Sequence, residues 1–149
     1  MNMNIPNNEN KNNENKKKIL IVDDDPDICV TLRKIFEQNG FMADSFIEPL
    51  LALENFKAGL YDLLLLDIKM SQMSGFQLHQ EMKKIDKEVK VCFLTATEMD
   101  FEKFRKEKEF YVLDKERFLR KPIDSKEIIR EITGILKCYS RLANYTNAI

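Results

Sequence analysis

The chain has 149 residues, enough for one domain with a substantial core and short for two. Hydrophobic residues make up 44% and charged residues 33%, the mixture of a soluble globular protein. With 24 Lys and Arg against 25 Asp and Glu, no overall basic field draws nucleic acid, and direct nucleic-acid binding is not expected.

No apolar run approaches the roughly 20 residues that cross a bilayer, so no membrane span is expected. The amino terminus lacks the apolar core of a signal peptide. Cys29, Cys92 and Cys138 are odd in number, widely spaced and without a CxxC pair. That pattern predicts free thiols in a reducing cytoplasm rather than a disulfide framework or a metal site.

Residues 1–18 are mostly Asn, Lys and Glu and offer little to bury, which predicts a disordered tail. Order is expected from Ile19, giving one domain over 19–138 and a short C-terminal extension over 139–149. The run ILIV (19–22) reads as a short buried strand that ends in Asp23, Asp24 and Asp25. Pro26 suits the first turn of a helix and Asp25 its N-cap. Ile28, Leu32, Ile35 and Phe36 then make one apolar stripe, and Gly40 stops the helix.

The pattern repeats. FMADSF (41–46) reads as a strand, and Pro49 opens a helix carrying Leu50, Leu53 and Phe56 that Gly59 ends. Next, Tyr61–Leu66 contains four successive leucines closed by Asp67 and a loop to Gly75. An apolar run this short fits a strand buried on both faces. Asp67 on its own is as well explained by capping the following turn. A helix with Phe76, Leu78, Met82 and Ile85 follows, on which His79 is expected at the surface among Gln77, Gln80 and Glu81. Val91–Leu94 reads as a strand ending in Thr95. A charged helix with Phe101, Phe104 and Phe110 comes next, then the short strand FLRKP (118–122) ending in Lys121 and Pro122. The last helix starts at an Asp124 or Ser125 cap and turns Ile128, Ile129, Ile132 and Leu136 inward.

Five strands alternating with five helices predict an α/β fold, a doubly wound five-stranded parallel sheet of flavodoxin-like order. All strand ends of a parallel sheet lie on one edge, so Asp23, Asp24, Asp67, Thr95 and Lys121 are expected to converge. Carboxylates gathered in one place repel each other and call for a cation. Oxygen-only ligands favour Mg²⁺, which keeps waters for a phosphate to replace. A lysine and a hydroxyl beside such an ion suit phosphoryl transfer, with Asp67 as the nucleophile.

The motifs ILIVDDDP, YDLLLLDIKMSQMSG, FLTATE and FLRKPI, in this order, resemble the receiver domain of two-component response regulators over roughly residues 19–137. The resemblance implies that Asp67 is the phospho-acceptor, that Asp23 and Asp24 bind metal, and that the backbone carbonyl of Lys69 is a further metal contact. It also implies that Thr95 is the switch hydroxyl, Lys121 the phosphate-binding lysine, and Phe118 the aromatic that reorients on activation. A sensor histidine kinase or a histidine phosphotransfer protein is the implied phosphoryl donor. With only the extension after the last helix, the expectation is a stand-alone, cytoplasmic, single-domain regulator acting on another protein and not an enzyme in the ordinary sense. Ser71 stands where the family often has proline, and the span from Thr95 to Lys121 is longer than usual. Two other readings use the same residues: a Mg²⁺-dependent small-molecule phosphohydrolase, and a receiver-like scaffold that works without phosphorylation. A P-loop ATPase is excluded, since no GxxxxGK loop is present.

Overall fold

The computed structural model of the protein describes residues 15–96 and 118–146. Its strands are β1 (Lys18–Val22), β2 (Met42–Phe46), β3 (Leu63–Asp67), β4 (Lys90–Thr95) and β5 (Phe118–Arg120). They form one parallel sheet in the order β2-β1-β3-β4-β5. The described helices are α1 (Pro26–Gln38), α2 (Pro49–Asn55), α3 (Gly75–Ile85) and α4 (Ser125–Thr146). This is the flavodoxin-like α/β arrangement the sequence predicts. The helix expected around Phe101, Phe104 and Phe110, and most of the long span from Thr95 to Lys121, lie outside the described residues.

The leucine run shows why the fold is a three-layer sandwich. Side chains alternate across a strand, so Leu63 and Leu65 enter one apolar cluster while Leu64 and Leu66 enter the other. All four are fully buried. Ile19 and Ile21 side with Leu63 under Cys29, Leu32 and Phe36 of α1 and Ile128 and Ile132 of α4. Leu20, Val22, Val91 and Phe93 side with Leu64 under Ala52 of α2 and Phe76, Leu78 and Met82 of α3. At about 2 kcal/mol for each large buried aliphatic side chain, these two faces account for the sheet's central position.

Local chemistry sets the helix starts. Asp25 caps α1, its carboxylate accepting from the Asp27 amide at 2.9 Å, with Pro26 in the first turn. Ser74 and Gln77 form a reciprocal capping box at α3, each backbone amide donating to the other's side chain. The Asp124 carboxylate accepts from the Lys126 amide at 2.8 Å, which makes it the cap of α4. At the far end of α1, Gly40 takes φ +85°, a conformation costly for a residue with a side chain.

Several expectations need correction. β1 begins at Lys18, one residue before Ile19, because its amide donates to the Asp62 carboxylate and its ammonium pairs with Asp44 at 3.2 Å. α2 ends at Asn55, well before Gly59, since Phe56 is already extended and drops into the core. The inward face of α2 is Ala52, Leu53 and Phe56, and Leu50 is 50% exposed. Ile85, at the end of α3, is 45% exposed. Tyr61 precedes β3 instead of opening it, and its hydroxyl donates to Asp44 at 2.7 Å. His79 is buried, its ring edge-on to Phe93, and not at the surface.

The start of α3 lies hard against the end of β3. A Cβ added at Gly75 would overlap the carbonyl oxygen of Asp67. Gly75→Ala must therefore push helix and strand apart. We expect a loss of about 1–3 kcal/mol in urea unfolding of the metal-free protein. An unchanged midpoint would mean that the close approach is not a constraint.

Candidate functional site

The strand order reverses at β1 and β3, and the carboxyl ends of these two neighbours form the crevice where open α/β sheets place their ligands. The chain leaves β1 directly into Asp23. Its backbone is pinned on both sides, the amide donating to the Phe46 carbonyl at 3.2 Å and the carbonyl accepting from the Cys29 thiol at 3.3 Å. One carboxylate oxygen, Oδ1, accepts from the Asp25 amide at 2.9 Å. The other, Oδ2, is completely buried, receives no well-directed hydrogen bond and faces the Lys121 ammonium 2.8 Å away.

Asp67 closes β3 and is 5% exposed. The same ammonium lies 3.4 Å from its Oδ1, so Lys121 bridges two buried carboxylates. Lys121 is placed by the sheet, because its amide donates to the Thr95 carbonyl at 2.9 Å as the chain leaves β5. Thr95, at the end of β4, is buried. Asp24 is exposed beside them. Carboxylate oxygens of Asp23, Asp24 and Asp67 all lie within 4.8 Å of one another.

The structure thus brings Asp23, Asp24, Asp67, Thr95 and Lys121 to one edge. Lys69 lies two residues past Asp67 with its side chain exposed. Phe118 is half-buried on β5, its ring centroid 5.5 Å from Phe93 and 6.3 Å from Phe76.

Three carboxylates around one ammonium leave the pocket short of positive charge. Burial first, and then the Asp23 charge, push the Asp67 carboxyl up to about 6, although Lys121 pulls it back in part. Burial pulls the Lys121 ammonium down, but Asp23 and Asp67 outweigh it and leave its pKa raised. A hard divalent cation fits here on two grounds: every donor is oxygen, and the buried Asp23 Oδ2 has the Lys121 ammonium as its one close partner, which it shares with Asp67.

The residues that support the site were harder to read. Cys29 braces the Asp23 backbone, and burial, then the Asp23 charge, push its thiol up to about 11, so it stays protonated. Gly75 abuts Asp67, a role signalled only by glycine standing where a helix begins. The aromatic group of Phe76, Phe93 and Phe118 comes from three separate elements, so no local pattern announces it.

A sequence model of the response regulator receiver domain matches residues 19–133. The chain belongs to that family, the response regulator receiver domains of two-component systems. It is similar to the chemotaxis protein CheY of Treponema pallidum, 27% identical over 124 residues covering 80% of this chain and 83% of that protein. It is also similar to sporulation initiation phosphotransferase F of Bacillus subtilis, 36% identical over 80 residues, 54% of this chain and 64% of the relative. A similar solved structure is the response regulator protein TrrA of Thermotoga maritima in complex with Mg²⁺ and BeF. It shows a TM-score of 0.67 at 30% identity, covering 79% of this chain and 97% of that one. The chain spans about half the length of several curated relatives it matches. Among the described residues, no helix is long and apolar enough to cross a membrane.

The raised Asp67 pKa has a signed consequence for stability. Its folded value, about 6, lies above the ordinary carboxylate value, so the fold holds a proton that the unfolded chain has released. Metal-free stability therefore falls as pH rises from about 4 to about 6, and stays reduced above that window. Asp67→Asn removes the ionisable group. The variant should be more stable than wild type by on the order of 2 kcal/mol at neutral pH, with the gain shrinking toward pH 4. Urea unfolding at both pH values in chelator checks this. A gain independent of pH would contradict it.

Proposed function

We propose that this domain is a phosphorylation-controlled signalling switch, in which Asp67 accepts a phosphoryl group from a histidine on another protein. The single observation behind this reading is the bridging of Asp67 and Asp23 by Lys121 at the sheet edge. It supplies a nucleophile with a cation already beside it, and two further carboxylates for a metal.

In this mechanism an Asp67 carboxylate oxygen forms the P–O bond as the P–N bond of a phosphoimidazole breaks. The electron pair leaves with the imidazole nitrogen, which takes up a proton. Asp23, Asp24 and Asp67, with the backbone carbonyl of Lys69, would hold Mg²⁺, which neutralises phosphoryl oxygens when bound. Lys121, kept charged by the two carboxylates beside it, orients the incoming group and holds one of its oxygens. The Thr95 hydroxyl donates to another oxygen. Thr95 and Phe118 belong to neighbouring strands, and Phe118 follows the hydroxyl to alter a protein-binding face. Phosphorylation biases an existing equilibrium through its different contacts in the two states. Two similar proteins fit the reading: one is named a sporulation initiation phosphotransferase, the other is held with Mg²⁺ and BeF.

A protein-borne donor is favoured over a free phosphate ester. A cavity of about 280 Å³ opens beside Lys121, lined chiefly by Ile28, Leu32, Pro122 and Ile123. Such walls suit an apolar side chain of a docking partner rather than a polar metabolite.

Incubation with acetyl phosphate and Mg²⁺ tests the acceptor. Wild type should incorporate acid-stable, base-labile acyl phosphate, and Asp67→Asn should incorporate none. Thr95→Ala should still be labelled but show a smaller change in hydrogen exchange over 118–120 than wild type. Asp24→Asn should weaken Mg²⁺ binding by about tenfold, the loss of one ligand charge. Equal labelling of Asp67→Asn and wild type would overturn the acceptor assignment.

A further inference from the structure

The hydroxyl route runs from Thr95 at the end of β4 to Phe118 on β5, but the structure holds a second path of contacts between Asp67 and the same ring. It begins at the backbone. The Ile68 amide donates to the Leu94 carbonyl at 3.0 Å, and the Gly75 amide donates to the Ile68 carbonyl, also at 3.0 Å. The loop from Asp67 to Gly75 is therefore closed at its base, and Gly75 has no room to yield, since even a methyl group would strike the Asp67 carbonyl.

Gly75 is the first residue of α3, and Phe76 is the next. The Phe76 ring lies 4.6 Å from Phe93 and 6.3 Å from Phe118. One turn along, His79 meets Phe93 edge-on at 5.8 Å. Residues three apart share a helix face, so α3 grips the fully buried Phe93 at two points. Phe93 and Phe118 are register partners on β4 and β5, with rings 5.5 Å apart. Close-packed interiors pass on displacement rather than absorb it.

We propose that α3 is a second transmission element of the switch: Gly75 takes up movement of the Asp67 backbone, and Phe76 delivers it to Phe118 through direct ring contact. Phe76 is a positioning residue, and His79 keeps Phe93 moving with the helix. The inference rests on Asp67 being the acceptor. It differs from the hydroxyl route in needing no group on Thr95.

The test follows the aromatic ring resonances of Phe118 by NMR in the full chain, before and after adding beryllofluoride with Mg²⁺. The carboxyl carbon of Asp67 reports binding independently. In wild type both signals should move. In Phe76→Leu the Asp67 signal should still move, while the Phe118 response should drop by roughly a factor of two or more. Phe76→Met, which fills the space with a flexible chain, should behave alike and serves if the leucine variant fails to fold. Phe76→Tyr keeps the ring and should restore the response. A purely structural role for Phe76 would lower the melting temperature and leave the Phe118 response at its wild-type size, and that result overturns the proposal. No movement of the Asp67 signal in wild type would overturn the acceptor assignment, and this route with it.

Discussion

Two buried carboxylates share one ammonium, and most of the molecule serves to keep them there. Asp23 and Asp67 stand at the ends of adjacent strands, so the sheet itself forces like charges together. Lys121 offsets part of the repulsion, and burial strengthens both the repulsion and the attraction. A pocket balanced in this way responds strongly to added positive charge or to a group that adds charge to one member. That sensitivity is what a switch requires.

The fold explains why the arrangement holds without collapse. β3 is buried on both faces by its leucines, so Asp67 cannot swing out to water without moving a strand packed in two clusters. Asp23 is fixed through its backbone amide, its carbonyl and one carboxylate oxygen. Lys121 is fixed through its amide on Thr95. Asp24 stands exposed at the rim beside them. Two buried acids bridged by one ammonium, with an exposed acid at the edge, form a site prepared for a charged group.

Much of this was legible in the sequence because it depends on local signals. Short apolar runs that end in Asp23, Asp67, Thr95 or Lys121 mark strand ends, and parallel order puts strand ends together. Asp25 and Pro26 announced the start of α1 by their chemistry. Features set by tertiary packing were not legible. His79 sits among polar neighbours in sequence, yet α3 is rotated so that its ring meets Phe93. Leu50 lies off the inward face that Pro49, Ala52, Leu53 and Phe56 share, and Ile85 is the last, exposed residue of α3. Lys18 looked like the last residue of a charged leader, but Asp44 and Asp62, distant in sequence, draw it into β1. For His79 and Lys18 the deciding partner is far along the chain.

The central claim is electrostatic, and a titration of the Asp67 carboxyl carbon by NMR tests it most directly. Without metal, burial and Asp23 should hold its pKa near 6. Saturating Mg²⁺ should bring the pKa well below the metal-free value, because the cation favours the ionised form. An ordinary carboxylate pKa in the metal-free protein, unmoved by Mg²⁺, would contradict the account.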